Sequence, residues 1–158
     1  MGVEVTSADE NNSSAGGSDG RALLAKSAAA SVWPDYMPPG CPDAQPTHTG
    51  RLFRLVSKVP VRKEDPLMLP AALTGAFPDA DACLRASLSS SSRIEELQTL
   101  RLSRTKKYGR ARVVAIDMLP DLGRARPTPS RSSPYHWSLW LTLAAFDAAS
   151  RLFIEVPS

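Results

Sequence analysis

Three β-type runs in the last third of the chain constrain its fold most. They are Val113-Val114-Ala115-Ile116-Asp117-Met118, Tyr135-His136-Trp137-Ser138-Leu139-Trp140-Leu141 and Leu152-Phe153-Ile154-Glu155-Val156. Branched and aromatic side chains fill them, and Pro, Gly and Ser separate them, so they read as strands of one sheet. The first is apolar on both faces except at Asp117, which predicts a central strand. In the second, alternation puts Tyr135, Trp137, Leu139 and Leu141 on one face, and His136, Ser138, Trp140 and Thr142 on the other. That pattern predicts Trp137 in the core. In the third, Leu152, Ile154 and Val156 are expected to bury one side.

The preceding residues supply the rest of a small domain. Arg51 to Val59 reads as a strand in which Arg54 shares a face with Leu52 and Val56. An arginine there either snorkels from a strand end or is held in a cleft by a partner. Asp65-Pro66 has the cap and first-position residues of a helix start, and Leu69 to Phe77 reads as a separate turn of helix. Ala82 to Leu88 reads as a short strand ended by the serines 89–92. Ser92 and Glu95 have the spacing of a capping box, and Ile94, Leu97 and Leu100 follow at helical spacing, predicting a helix from Arg93 to about Ser103. The expected fold is therefore α+β: a largely antiparallel sheet of about four to six strands with one or two helices on one face.

The N-terminal third has a different character. Residues 7–20 hold no large apolar side chain and cannot offset the entropy of ordering, so 1–31 is expected to be a disordered leader with a possible short helix at 22–31. Residues 32–49 contain Trp33, Tyr36 and Met37 among five prolines, and read as an ordered strap over the domain of 50–158. Met1-Gly2-Val3-Glu4-Val5-Thr6 fits an acylation pattern, but the acids that follow would repel an anionic membrane, so no membrane partner is expected. Cys41 and Cys83 lie in no metal-ligand spacing, and we expect no metal site, two reduced thiols and a cytoplasmic protein.

Charge is uneven along the chain. Residues 1–50 carry six acids and two bases, a net of −4 within a total of +3, so residues 51–158 carry +7. Arg101, Arg104, Lys106, Lys107, Arg110 and Arg112 follow one another with no acid among them and Tyr108 interleaved. Six bases exceed what a helix C-terminus attracts. They suggest a binding or accessory module acting on an acidic partner, either a protein or a nucleic acid whose bases could stack on Tyr108. No cofactor is expected on that reading.

Several short motifs carry resemblances. Pro38-Pro39-Gly40-Cys41-Pro42, Phe53-Arg54-Leu55-Val56, Cys83 with Ser87-Leu88-Ser89, and Thr128-Pro129-Ser130 before His136-Trp137 resemble a set of small bacterial proteins of unknown function, which implies no activity. Arg54, Ser87-Leu88-Ser89 and Glu155 also fall in the order found in ADP-ribosyltransferases of the Arg–Ser–Glu type. That resemblance implies an alternative: an NAD-using enzyme in which Arg54 holds the phosphates, the serine strand supports the nicotinamide and Glu155 stabilises the ribose cation. Leu88 stands where that family has threonine, and Phe153 where it has a second acid. His136 needs a proton partner to be catalytic, and Asp117 on a neighbouring strand is the candidate. Cys83 reads as core.

Overall fold

The computed structural model describes residues 32–157. The expectations for the leader and for Gly2 lie outside them. Strands β1 (Gly50–Val56), β2 (Leu88–Ser91), β3 (Arg112–Met118), β4 (Gly123–Pro127), β5 (His136–Leu141) and β6 (Ile154–Glu155) form one sheet in the order β4-β5-β2-β1-β3-β6. Every neighbouring pair is antiparallel. Six short helices accompany it: α1 (Ala71–Thr74), α2 (Ala82–Arg85), α3 (Ile94–Ser103), α4 (Thr105–Tyr108), α5 (Leu143–Asp147) and α6 (Ala149–Leu152). The α+β class and the antiparallel sheet are as the sequence suggested, while the helices are more numerous, and both faces of the sheet carry apolar clusters.

The two faces are built differently. On the first, Leu52, Val56, Leu88, Val114, Ile116, Leu139 and Leu141 pack with Ala145 and Phe146 of α5 and Ala149 of α6 into the main core. On the second, Leu55 and Val113 pack with Leu97 of α3 and Ala111 in a smaller cluster edged by Phe53, Ile94, Leu100 and Tyr108. β1 pairs with β3 along its whole length, from Gly50 opposite Met118 to Val56 opposite Arg112. Its register with β2 rests on Phe53 opposite Ser91. Gly123 lies opposite Leu141 with φ +154°, and a Cβ there would overlap the Trp140 carbonyl oxygen, so only glycine lets β4 approach β5 so closely.

Local chemistry sets the boundaries that periodicity misplaced. β1 stops at Val56 because the Asp65 carboxylate takes the next two amides, Ser57 N at 2.8 Å and Lys58 N at 3.2 Å. Asp65 also accepts from Leu67 N and caps a 3-10 turn at Pro66–Met68. Ala82–Arg85 is helical, because the Asp81 side chain accepts from Leu84 N at 3.0 Å and opens a turn there. The serine run forms β2 itself. Ser90 Oγ donates to the Trp137 carbonyl and Ser91 Oγ contacts the Tyr135 carbonyl, so these buried hydroxyls are satisfied within the sheet. The expected Ser92–Glu95 box is replaced by Ser91, whose Oγ accepts from Arg93 N and donates to Glu96.

Three core expectations are corrected. Trp137 is half-buried against the main core and His48, whereas Trp140 is fully buried and donates from Nε1 to the Cys83 carbonyl at 2.8 Å. α6 continues through Leu152, which shifts the alternation of the last strand: Phe153 is buried and Ile154 is 61% exposed. Cys41 and Cys83 are joined in a disulfide, not held as free thiols. The bridge ties the strap to α2, and both belong to one compact unit.

Candidate functional site

Where the second face turns polar, the helix layer does not close. β2 presents Ser89 and Ser91 there, and β5 presents His136 and Ser138 opposite them. A cleft of about 770 Å³ opens over these residues, bounded by α3, by Tyr108 of α4, by residues 132–134 and by Phe77 at the rim. Phe77 is three-quarters exposed and holds φ +51°, a conformation rare for a side chain of that size.

Arg54 forms part of the cleft lining and is 6% exposed. By alternation its side chain leaves β1 on the first face, with Leu52 and Val56. Its guanidinium ends between the main core and the cleft, donating to the carbonyls of Ser89 and Leu67 and touching Met68 Sδ at 3.3 Å. Among the described residues, no carboxylate lies within ion-pairing distance of this guanidinium. Burial lowers its pKa to about 10, against a partial rise from the more distant charges of Asp65 and Tyr108.

His136 is the second buried polar group of the cleft. Its Nδ1 lies 3.2 Å from the Thr128 carbonyl, which can only accept, and this contact favours the tautomer with the hydrogen on Nδ1 and the lone pair on Nε2. Nε2 lies 3.1 Å from Ser89 Oγ and in that tautomer accepts from it. Thr128 Oγ1 is 2.9 Å from Nδ1 and 2.9 Å from Ser138 Oγ, which extends the chain to four residues on β2, β5 and the end of β4. Burial lowers the His136 pKa, opposed by the Thr128 carbonyl and Glu96 and reinforced by Arg54. Burial thus favours the neutral ring over the charged one. Asp117 is not its partner: it lies three strands away, where Arg51 Nε and Nη2 grip its carboxylate at 2.7 and 2.8 Å and lower its pKa.

The sequence-predicted site residues separate into two groups. Ser87 precedes β2, with its Oγ donating to the Leu84 carbonyl. Glu155 sits on edge strand β6, two strands beyond Arg54's β1, and pairs with Arg112, whose Nε lies 2.6 Å from it. Arg54, Ser87 and Glu155 therefore do not converge. Of the basic segment, Arg104, Lys106, Lys107 and Arg110 are exposed, Arg101 is half-buried and Arg112 is neutralised by Glu155. Tyr108 is half-buried in the smaller cluster, with the Lys107 ammonium 5.0 Å from its ring centre, so its ring is no free stacking platform. Arg104 and Tyr108 line the same cleft as Arg54. The pairing of Ser89 with His136 escaped the sequence reading, because it depends on a register between strands that are 47 residues apart. A serine-rich run facing a histidine strand was the available signal.

Among the described residues, no helix is long and apolar enough to cross a membrane, and no group of three His, Cys, Asp or Glu could hold a metal ion. No protein-family model, curated protein or solved structure matches the chain.

Proposed function

We propose that the domain is a binding module that takes an acidic segment of a partner protein at this cleft. The observation that carries the reading is the meeting of buried Arg54, which has no acid partner among the described residues, with Arg104 and Tyr108 of the basic segment in one cavity. A desolvated cation is costly unless an anion compensates it. An incoming carboxylate would supply that anion, with Arg104, Lys106, Lys107 and Arg110 steering its approach. Exposed Phe77 offers an apolar contact at the rim. Tyr108 is half-buried with the Lys107 ammonium over its ring, which leaves no open aromatic face for a base to stack on. A short acidic peptide therefore fits better than RNA or DNA.

The same reading bears on location. Cytosolic thiols are kept reduced, so the Cys41–Cys83 bond favours an oxidising compartment over the cytoplasm that the sequence suggested.

The test is a titration with fluorescent oligoglutamate and with labelled single- and double-stranded nucleic acid at two salt concentrations. We expect peptide binding that weakens with salt, slower association in Lys106→Gln/Lys107→Gln, and no nucleic-acid binding. Tight nucleic-acid binding with a steep salt slope, or peptide signals indifferent to both salt and the substitutions, contradicts the reading.

A further inference from the structure

We propose that Ser89 is a nucleophile activated by His136, and that the cleft hydrolyses a carboxylic ester bearing a negative charge. Nucleophilic catalysis needs a hydroxyl within hydrogen-bond reach of a base, and a third group that fixes the base's tautomer. Ser89 Oγ, His136 Nε2 and the Thr128 carbonyl supply those parts, at 3.1 Å and 3.2 Å. Here a backbone carbonyl does what a carboxylate does in better-known triads: it holds the Nδ1 hydrogen and leaves Nε2 free to accept. Ser89 is exposed on the cleft wall while its base is half-buried, so the reacting oxygen faces solvent and burial favours the neutral form of the proton acceptor.

Arg54 supplies the charge that the reaction requires. A guanidinium has five N–H donors. Three contacts are accounted for, to the Ser89 carbonyl, the Leu67 carbonyl and Met68 Sδ. The remaining donors belong to a desolvated cation attached to the nucleophile's own residue. A cation in such a place is worth most to an oxyanion that forms only during reaction.

The steps balance without redox chemistry. Ser89 Oγ bonds to the ester carbon as its proton passes to His136 Nε2. The tetrahedral oxyanion collapses, the bond to the leaving oxygen breaks, and His136 returns the proton to that oxygen, releasing an alcohol. Water then attacks the acyl-serine, giving its proton to Nε2. The bond to Oγ breaks, Oγ takes the proton back, and a carboxylic acid leaves. The preference for a negatively charged ester rests on the binding reading above, whereas the serine chemistry stands without it.

Two measurements on the intact protein separate these claims. A neutral fluorophosphonate should add one phosphonyl group, mapped by fragment sequencing to Ser89 rather than to Ser87, Ser90, Ser91 or Ser92. Labelling should vanish in Ser89→Ala and slow by about 10²-fold or more in His136→Ala, with near-ultraviolet circular dichroism checking that both variants are folded. An unlabelled wild type, a label on another serine, or an unchanged rate in His136→Ala overturns the proposal. Mono-p-nitrophenyl succinate should turn over about fivefold faster than p-nitrophenyl acetate, and Arg104→Gln should erase the difference. Equal turnover of both esters by a protein labelled at Ser89 removes the charge preference and leaves the serine chemistry standing.

Discussion

On the first face of the sheet, Leu52, Val114, Ile116, Leu139 and Leu141 meet apolar residues of α5 and α6, and the hydroxyl of buried Ser90 is satisfied by the Trp137 carbonyl. On the second, β2 and β5 carry Ser89, Ser91, His136 and Ser138, and the covering helices stand off to leave a cleft. Backbone pairing serves both faces equally, so the difference lies in what each side chain gains by losing water. An apolar side chain gains about 25 cal/mol for each Å² buried. A hydroxyl or imidazole gains nothing unless it finds a partner. The second face closes again at Trp140, where the ring and its bond to the Cys83 carbonyl satisfy both requirements.

Substitutions can break that comparison. The largest effects belong where the sheet is closed. Trp140→Ala should cost about 3–5 kcal/mol and Leu139→Ala about 2–5 kcal/mol in urea unfolding. Trp137→Ala should cost clearly less than Trp140→Ala, since Trp137 is only half-buried. A larger cost at Trp137 than at Trp140 would mean that the strand packs in the opposite sense. Reducing the Cys41–Cys83 bridge, or changing both cysteines to serine, should cost about 2–4 kcal/mol, because it frees a loop spanning 42 residues in the unfolded chain. An unaltered unfolding midpoint with and without reductant would show that the strap is not clamped. Ser138→Ala, one residue from Leu139 but on the other face, should cost only about 1 kcal/mol, the worth of its bond to Thr128. A loss as large as that of Leu139→Ala would erase the distinction between the faces. Arg112→Ala, which breaks an exposed pair with Glu155 at the sheet edge, should change stability by less than about 1 kcal/mol.

The apolar runs made much of the first face legible in sequence. Val113 to Met118 and Leu139 to Leu141 place themselves, because strand alternation and burial agree there. Trp137 and Ile154 were misassigned for a related reason: alternation identifies two faces but not which is covered at a given point, nor where a helix such as α6 overruns into the strand. The serines of β2 were read as punctuation because isolated serine runs favour loops. Here Leu88 is buried beside them, and partners on β5 and α3 satisfy their hydroxyls. Arg54 was legible as an arginine among apolar neighbours in need of a partner. That the partners are two carbonyls, one of them from a turn 13 residues away, is a tertiary fact. The disulfide likewise needed two Cα atoms 5.6 Å apart, which spacing in sequence does not reveal.

The division of labour between the faces is tested most directly by nuclear magnetic resonance. Amide and arginine side-chain spectra of the ¹⁵N-labelled protein would be followed as oligoglutamate is added. The account predicts that shifts gather on Arg54, Ser89, Ser91, Arg104, Tyr108 and His136, while amides of Leu52, Ile116 and Leu141 stay still. Shifts centred on the first face or the strap, or a spectrum that does not respond, would contradict it.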